Sequence, residues 1–120
     1  MPHFKRLEQE TEWTTNGVTS NFWIKIKCLG LQAVRVWKFV LTGRRNDSSE
    51  QIHNWRLEGS NDDSEWTLLR YGNSSTIGSA AHQFIVENNT ISYEFYRIFV
   101  VEGHGTNPGL SQVQLFVYSD

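Results

Sequence analysis

Alternation with period two runs through most of this chain. In "FWIKIK" (residues 22–27), Phe22, Ile24 and Ile26 fall on one side and Trp23, Lys25 and Lys27 on the other. That is the spacing of a strand with one buried face. "VRVWKFVL" (34–41) begins with Val34 and Val36 in phase, then shifts to Trp37, Phe39 and Leu41. A one-residue change of phase predicts a β-bulge, or a strand covered on both faces. "NWRLEG", "EWTLLRY", "HQFIVE", "YEFYRIFVVE" and "SQVQLFVYS" predict further strands. Between them lie turn clusters: "TTNGVTSN", "GRRNDSSEQIHN", "GSNDDS", "YGNSSTIGSA", "ENNTIS" and "GHGTNPG". No helical period persists beyond about two turns. About seven short strands with regular turn signals predict an all-β fold, an antiparallel β-sandwich in a single domain.

Residues 54–66, "NWRLEGSNDDSEW", read as a hairpin. Asn and Asp tolerate the left-handed backbone of a tight turn, so "SNDD" is its tip. Trp55 and Trp66 are expected near the far ends of the two strands, building the core or capping its edge, because large aromatics supply most of a small core's buried area.

Composition narrows the function classes. The chain has 120 residues, 38% of them hydrophobic, with five Trp, seven Phe and four Tyr. Eleven Lys and Arg against 13 Asp and Glu leave a formal charge of −2, without the basic excess that phosphate recognition or a polybasic membrane contact requires. Neither a nucleic-acid partner nor membrane insertion is expected. Cys28 is the one cysteine, so no intrachain disulfide can form. "MPHFKRLEQETEW" lacks the apolar run of a signal peptide, and no segment has the length and apolarity of a membrane span. The expectation is a protein working inside a cell, or a module cut from a larger and even extracellular one.

"WRLEGSNDDSEWTLL" resembles the signature of the discoidin domain, the C-type domain of coagulation factors V and VIII, in the galactose-binding-like superfamily. Other pieces follow in the family's order: "EWTTNG" with "NFWIKIK", "VWKFVLTGRRND", "FYRIFVVEG" and "GLSQVQLFVY". The resemblance covers residues 12–118 and implies a discoidin-like jelly roll. Family members begin some tens of residues earlier, so their N-terminal strand is expected to be short or missing here, and the cysteine pair joining their ends is absent. The structural calcium held by the family's early loop has no supporting motif in this chain, and no cofactor is expected.

The resemblance places ligands against loops at one end of the sandwich. Two loops then matter. "GRRNDSSEQIHN" offers Arg44, Arg45, Asn46, Asp47 and His53, whose guanidinium and amide groups can bridge adjacent sugar hydroxyls. "GHGTNPG" offers His104, Thr106 and Asn107, with glycines that admit a close ligand. Trp13, expected in a loop before the first strand, can give a pyranose a flat apolar face. Each has a plainer reading: a solvated loop explains Arg-Arg-Asn-Asp, a turn explains His104, and His53 can bond a neighbouring loop. His3 and His82 have no partner in reach along the sequence. Turn chemistry accounts for Asp62 and Asp63, which are not read as metal ligands.

Catalysis finds no support. "GLSQV" lacks the second glycine of a nucleophile elbow, and "GHGTNP" leads into a strand where a phosphate site needs a helix. One Cys and four scattered His do not have zinc spacing. Glu58, Glu65 and Glu102 lie on separate strands, with nothing to pair them as glycosidase carboxylates. The reading is a non-catalytic recognition module for a glycan or glycoprotein, of the galactose or amino-sugar class, acting by avidity through several copies. The alternative is a protein-interaction module of a larger assembly, which a broad exposed apolar patch would favour. Phospholipid binding is the weakest reading, since "RRNDSSE" and "HGTN" carry no apolar tips. An open sheet edge would favour a homo-oligomer.

Overall fold

Among the described residues the alternation becomes nine strands. A computed structural model describes residues 3–9, 13–14, 20–27, 33–43, 52–72, 81–87, 89–103 and 109–119. Its strands are β1 (His3–Gln9), β2 (Trp13–Thr14), β3 (Ser20–Lys27), β4 (Arg35–Gly43), β5 (Ile52–Ser60), β6 (Thr67–Gly72), β7 (Ala81–Ile85), β8 (Phe95–Gly103) and β9 (Gly109–Ser119). No helix occurs among the described residues. All strand pairings among the described residues are antiparallel. One sheet runs β1-β9-β4-β7, with β2 also on β9; the other runs β3-β8-β5-β6. The two sheets pack as a sandwich. Residues ahead of position 12, where a short or missing strand was expected, contribute β1, which pairs from His3↔Ser119 to Gln9↔Val113. Trp13 likewise lies in a strand, opposite Leu110, rather than in a loop.

Period two works as the pattern requires in β3, where Phe22 and Ile24 are buried while Asn21, Trp23 and Lys25 are exposed. The change of phase in β4 is a bulge: Val36 pairs with Val117 and Lys38 with Phe116, so Trp37 is the extra residue on β4. Phe39 and Leu41 resume the buried face, but Trp37 does not join them; it is half-buried and meets Phe116 edge-on at 6.4 Å. Val40 is buried as well, so this central strand is covered on both sides.

Three aromatics from three strands fill the core between the sheets. Trp55 on β5 meets Phe84 on β7 at 4.8 Å and Phe39 on β4 at 5.7 Å, both edge-on, while Phe39 and Phe84 stack at 5.2 Å. Such pairs contribute about 0.5–1.5 kcal/mol each beyond the area they bury. Trp55 lies so close to β6 that a Cβ on Gly72 would stand 2.4 Å from its Cε2. The ring of Tyr93 covers Gly59 in the same way, at 2.6 Å. These glycines keep open the space an aromatic fills.

The hairpin tip is built as its residues dictate. Asp63 takes the left-handed backbone, at φ 60°. Ser60 Oγ accepts the N–H groups of Asp62 (3.3 Å) and Asp63 (3.0 Å), and Asp62 Oδ1 accepts those of Ser64 (2.9 Å) and Glu65 (2.8 Å). The N–H groups of Glu65 and Ser64, with the Ser60 hydroxyl, hold the Asp62 carboxyl below the usual aspartate range. Trp66 departs from expectation. It follows the bend directly, ahead of β6, and lies on the outer face of its sheet with the Arg97 guanidinium 4.1 Å from its ring.

Candidate functional site

Strand register brings the predicted loops to one end of the sandwich. Gly43, where β4 stops, lies opposite Leu110 at the start of β9, and Trp13 of β2 flanks Leu110 on its other side. In the second sheet Ile52, which opens β5, pairs with Gly103, which closes β8. Ser20 of β3 pairs with Glu102, and Ala81 of β7 with Thr42, so the feet of these strands share that end. Arg44, Arg45, Asn46 and Asp47 fall between Gly43 and Ile52, and His104, Thr106 and Asn107 between Gly103 and Gly109. These residues lie outside the described ones; what is described is the ring of strand ends that carries them. For Trp13 the backbone position is described.

Three of the five register shifts among the described residues lie at this end. Between Gln112 and Leu110 the register against β4 slips by one residue. Ser111 sits at the slip, and its hydroxyl donates to the carbonyl of Gly43 at 2.9 Å, fastening the foot of the 44–51 connection to β9. β5 shifts register against β8 at His53 and Asn54. Bulges of this kind end pairing and re-aim side chains, and they recur beside binding sites. One consequence is visible in burial: Ile52 and Trp55 both face the core although three residues apart.

His53 is therefore a strand residue at the foot of the loop. Its Nε2 stands 3.9 Å from Glu102 Oε1 on β8, and Asn54 Nδ2 donates to the same oxygen at 3.4 Å. Glu102 thus gathers two polar groups of β5. Glu58 is also paired: Arg97 Nε donates to its Oε1 at 2.7 Å, with both side chains largely covered. Each of these carboxylates thus has a partner of its own. Asp63 is bound to Lys25 Nζ at 2.7 Å in the hairpin tip, at the opposite end of the sandwich. Among the described residues no group of three or more His, Cys, Asp or Glu is placed to hold a metal ion.

A second surface was not anticipated. On the outer face of the β3-β8-β5-β6 sheet, Trp23 pairs with Phe99, Phe99 with Arg56, and Arg56 with Tyr71, one residue from each strand in a single row. Trp23 and Phe99 stack with centroids 6.0 Å apart and planes 10° from parallel, and Arg56 Cζ lies 4.9 Å from the Phe99 ring. Tyr71 is 62% exposed and Trp23 49%. A groove of about 330 Å³ runs beside the row, lined by Asn54, Trp55, Arg56, Tyr71, Gly72 and Val101. The signal in sequence was Trp23 itself, an aromatic on the polar side of a clean alternation.

The chain is similar to the family 32 carbohydrate-binding module of NanJ from Clostridium perfringens, solved with galactose, at 14% identity and a TM-score of 0.70. The match covers 94% of this chain and 93% of that one. It is similar to CpGH89CBM32-5 of the same organism, solved with GalNAc-β-1,3-galactose, at 17% identity and a TM-score of 0.70, over 93% of this chain and 94% of the other. An F5/8 type C domain from Bacteroides fragilis matches at 14% identity and a TM-score of 0.70, over 92% and 76%. Likeness to a family 89 glycoside hydrolase of Clostridium perfringens covers 12% of that chain, so it concerns one part of the enzyme. No family profile and no curated protein sequence matches this chain. The fold is that of F5/8 type C (discoidin) domains and family 32 carbohydrate-binding modules, as the signature around "GSNDDSEW" implied.

Proposed function

We propose that this protein is a carbohydrate-binding module that holds a galactose-class or amino-sugar glycan against the loops at the β4–β5 and β8–β9 end. The observation that carries the reading is the convergence of Gly43, Ile52, Gly103, Leu110 and Trp13 at one end of a fold that galactose-bound modules share. Arg44, Arg45, Asn46, Asp47, His104 and Asn107 are the polar groups on the two connections, and His53 and Trp13 stand at their feet. Arg and Asn would bond ring hydroxyls while an aromatic covers the apolar face of the sugar. Recognition at such a shallow site is weak, because displaced water and loop ordering offset most of the contact energy. No step of this reading requires bond making or breaking, and the protein acts by holding its ligand.

A glycan array probed with the purified, multimerised chain tests it, with the Arg44→Ala/Arg45→Ala double variant alongside. The expected result is a galactose- or amino-sugar-containing hit that the folded double variant loses. Undiminished binding by that variant, or a silent array with the multimer, would overturn the assignment.

A further inference from the structure

The row Trp23–Phe99–Arg56–Tyr71 is exposed at its two ends and half-buried at its centre, largely aromatic and ordered so that it complements its own reverse. Consider a twofold axis parallel to the strands and midway between β8 and β5. It exchanges β8 with β5 and β3 with β6 while leaving the height along the strands unchanged. Phe99 then faces Arg56 of a second copy, and Trp23 faces its Tyr71. Each contact occurs twice, as a twofold interface demands. The central contacts set a guanidinium against an aromatic ring, and the outer ones set ring against ring. Leu68 and Val101 are also exposed, and Leu68 shares the next row with Lys25, Arg97 and Glu58. Of the charges on this face, Glu58 holds Arg97 beneath Trp66 and lies 3.9 Å from Arg56, and Lys25 is paired with Asp63.

We propose that this outer sheet face is a homodimer interface, in which two copies pack face to face with their strands aligned. Four strands about 4.8 Å apart and some seven residues long present roughly 500 Å² per copy, or about 1,000 Å² in total. That is the lower limit of specific interfaces, and it predicts a reversible dimer of micromolar or weaker affinity. The same axis puts the loop ends of both copies on the same side. Resting on the carbohydrate reading, this would let one dimer engage two sugars of a glycan surface and offset the weakness of a single site.

Sedimentation velocity of the full chain, without any glycan, tests the interface independently of what the loops bind. From about 5 to 500 µM the protein should pass from monomer to dimer. Tyr71→Glu and Trp23→Glu, both at exposed positions, should each weaken the dimer at least about tenfold, with circular dichroism unchanged. Ile85→Glu, at an exposed position of the other sheet, should leave it intact. A monomer throughout that range would overturn the proposal and leave the face to a partner of different sequence or a glycan chain. So would a dimer that survives both row substitutions, or one that Ile85→Glu weakens equally.

Discussion

Tyr96 ties the two sheets together through its hydroxyl, and Tyr96→Phe removes that oxygen alone. The ring is fully buried on β8. Its Oη donates to the carbonyl of Val34 at 2.5 Å and accepts the Val36 N–H at 3.3 Å, both in the opposite sheet's segment. Val36 stands at the β4 bulge, beyond the end of the β7 ladder, which stops at Lys38↔Ile85. Side chains take over there: Tyr96 meets the N–H, and Asn89 Nδ2 donates to the carbonyl at 2.9 Å. In the phenylalanine variant Val34 O keeps the Tyr93 N–H at 2.9 Å, but Val36 N–H loses the hydroxyl inside the protein. One net hydrogen bond and one desolvated donor together cost about 2–3 kcal/mol. For a domain of this size the melting temperature should fall by roughly 10 °C. Urea unfolding followed by tryptophan fluorescence should show a lower midpoint with an unchanged slope. Combining Tyr96→Phe with Asn89→Ala should give less than the sum of the two losses, because both serve one bulge. A loss below about 0.5 kcal/mol for Tyr96→Phe would refute the argument that the bulge depends on this hydroxyl.

Gly72→Ala should drive a methyl group into the Trp55 indole, costing about 1–3 kcal/mol and shifting the tryptophan emission; a melting temperature within 1 °C of wild type, a threshold set well inside the expected shift of roughly 4–12 °C, would contradict the close approach. Asp62 makes a pH prediction. Its folded pKa is depressed by the Glu65, Ser64 and Ser60 donors, so its contribution is complete above the ordinary aspartate value and is lost as pH falls through the lower folded value. The gap in melting temperature between wild type and Asp62→Ala should accordingly be largest near neutral pH and shrink toward about pH 2, and a gap that stays constant or widens in acid would count against it.

Several features could be read directly from residue order. Phe22 and Ile24 against Trp23 and Lys25 announced a strand with one buried side, the slip in "VRVWKFVL" announced the bulge, and "SNDD" announced the tip with its left-handed Asp63. These are local: a strand's period, a missing residue of phase and an Asp at a turn depend on neighbours a few positions away. The ends of strands that gather the β4–β5 and β8–β9 connections were legible only through the family signature, since no local pattern says that Gly43 meets Leu110. Trp66 shows the limit from the other side. Its size argued for the core, yet its neighbour across the sheet is Arg97, and a guanidinium that must hold buried Glu58 keeps its partners on the outer face.

Pairings between distant positions belong to the folded molecule. Tyr96 reaches Val34 and Val36 across some sixty residues of chain, Gly72 is required by an indole on the neighbouring strand, and Trp23, Phe99, Arg56 and Tyr71 form a row only when four strands take their registers. Period two states that a side chain points to one of two faces. Which face meets the other sheet, and which residue lies beside it, follows from how the strands order themselves to bury Trp55, Phe39 and Phe84 together, and that choice is made by packing over the whole chain.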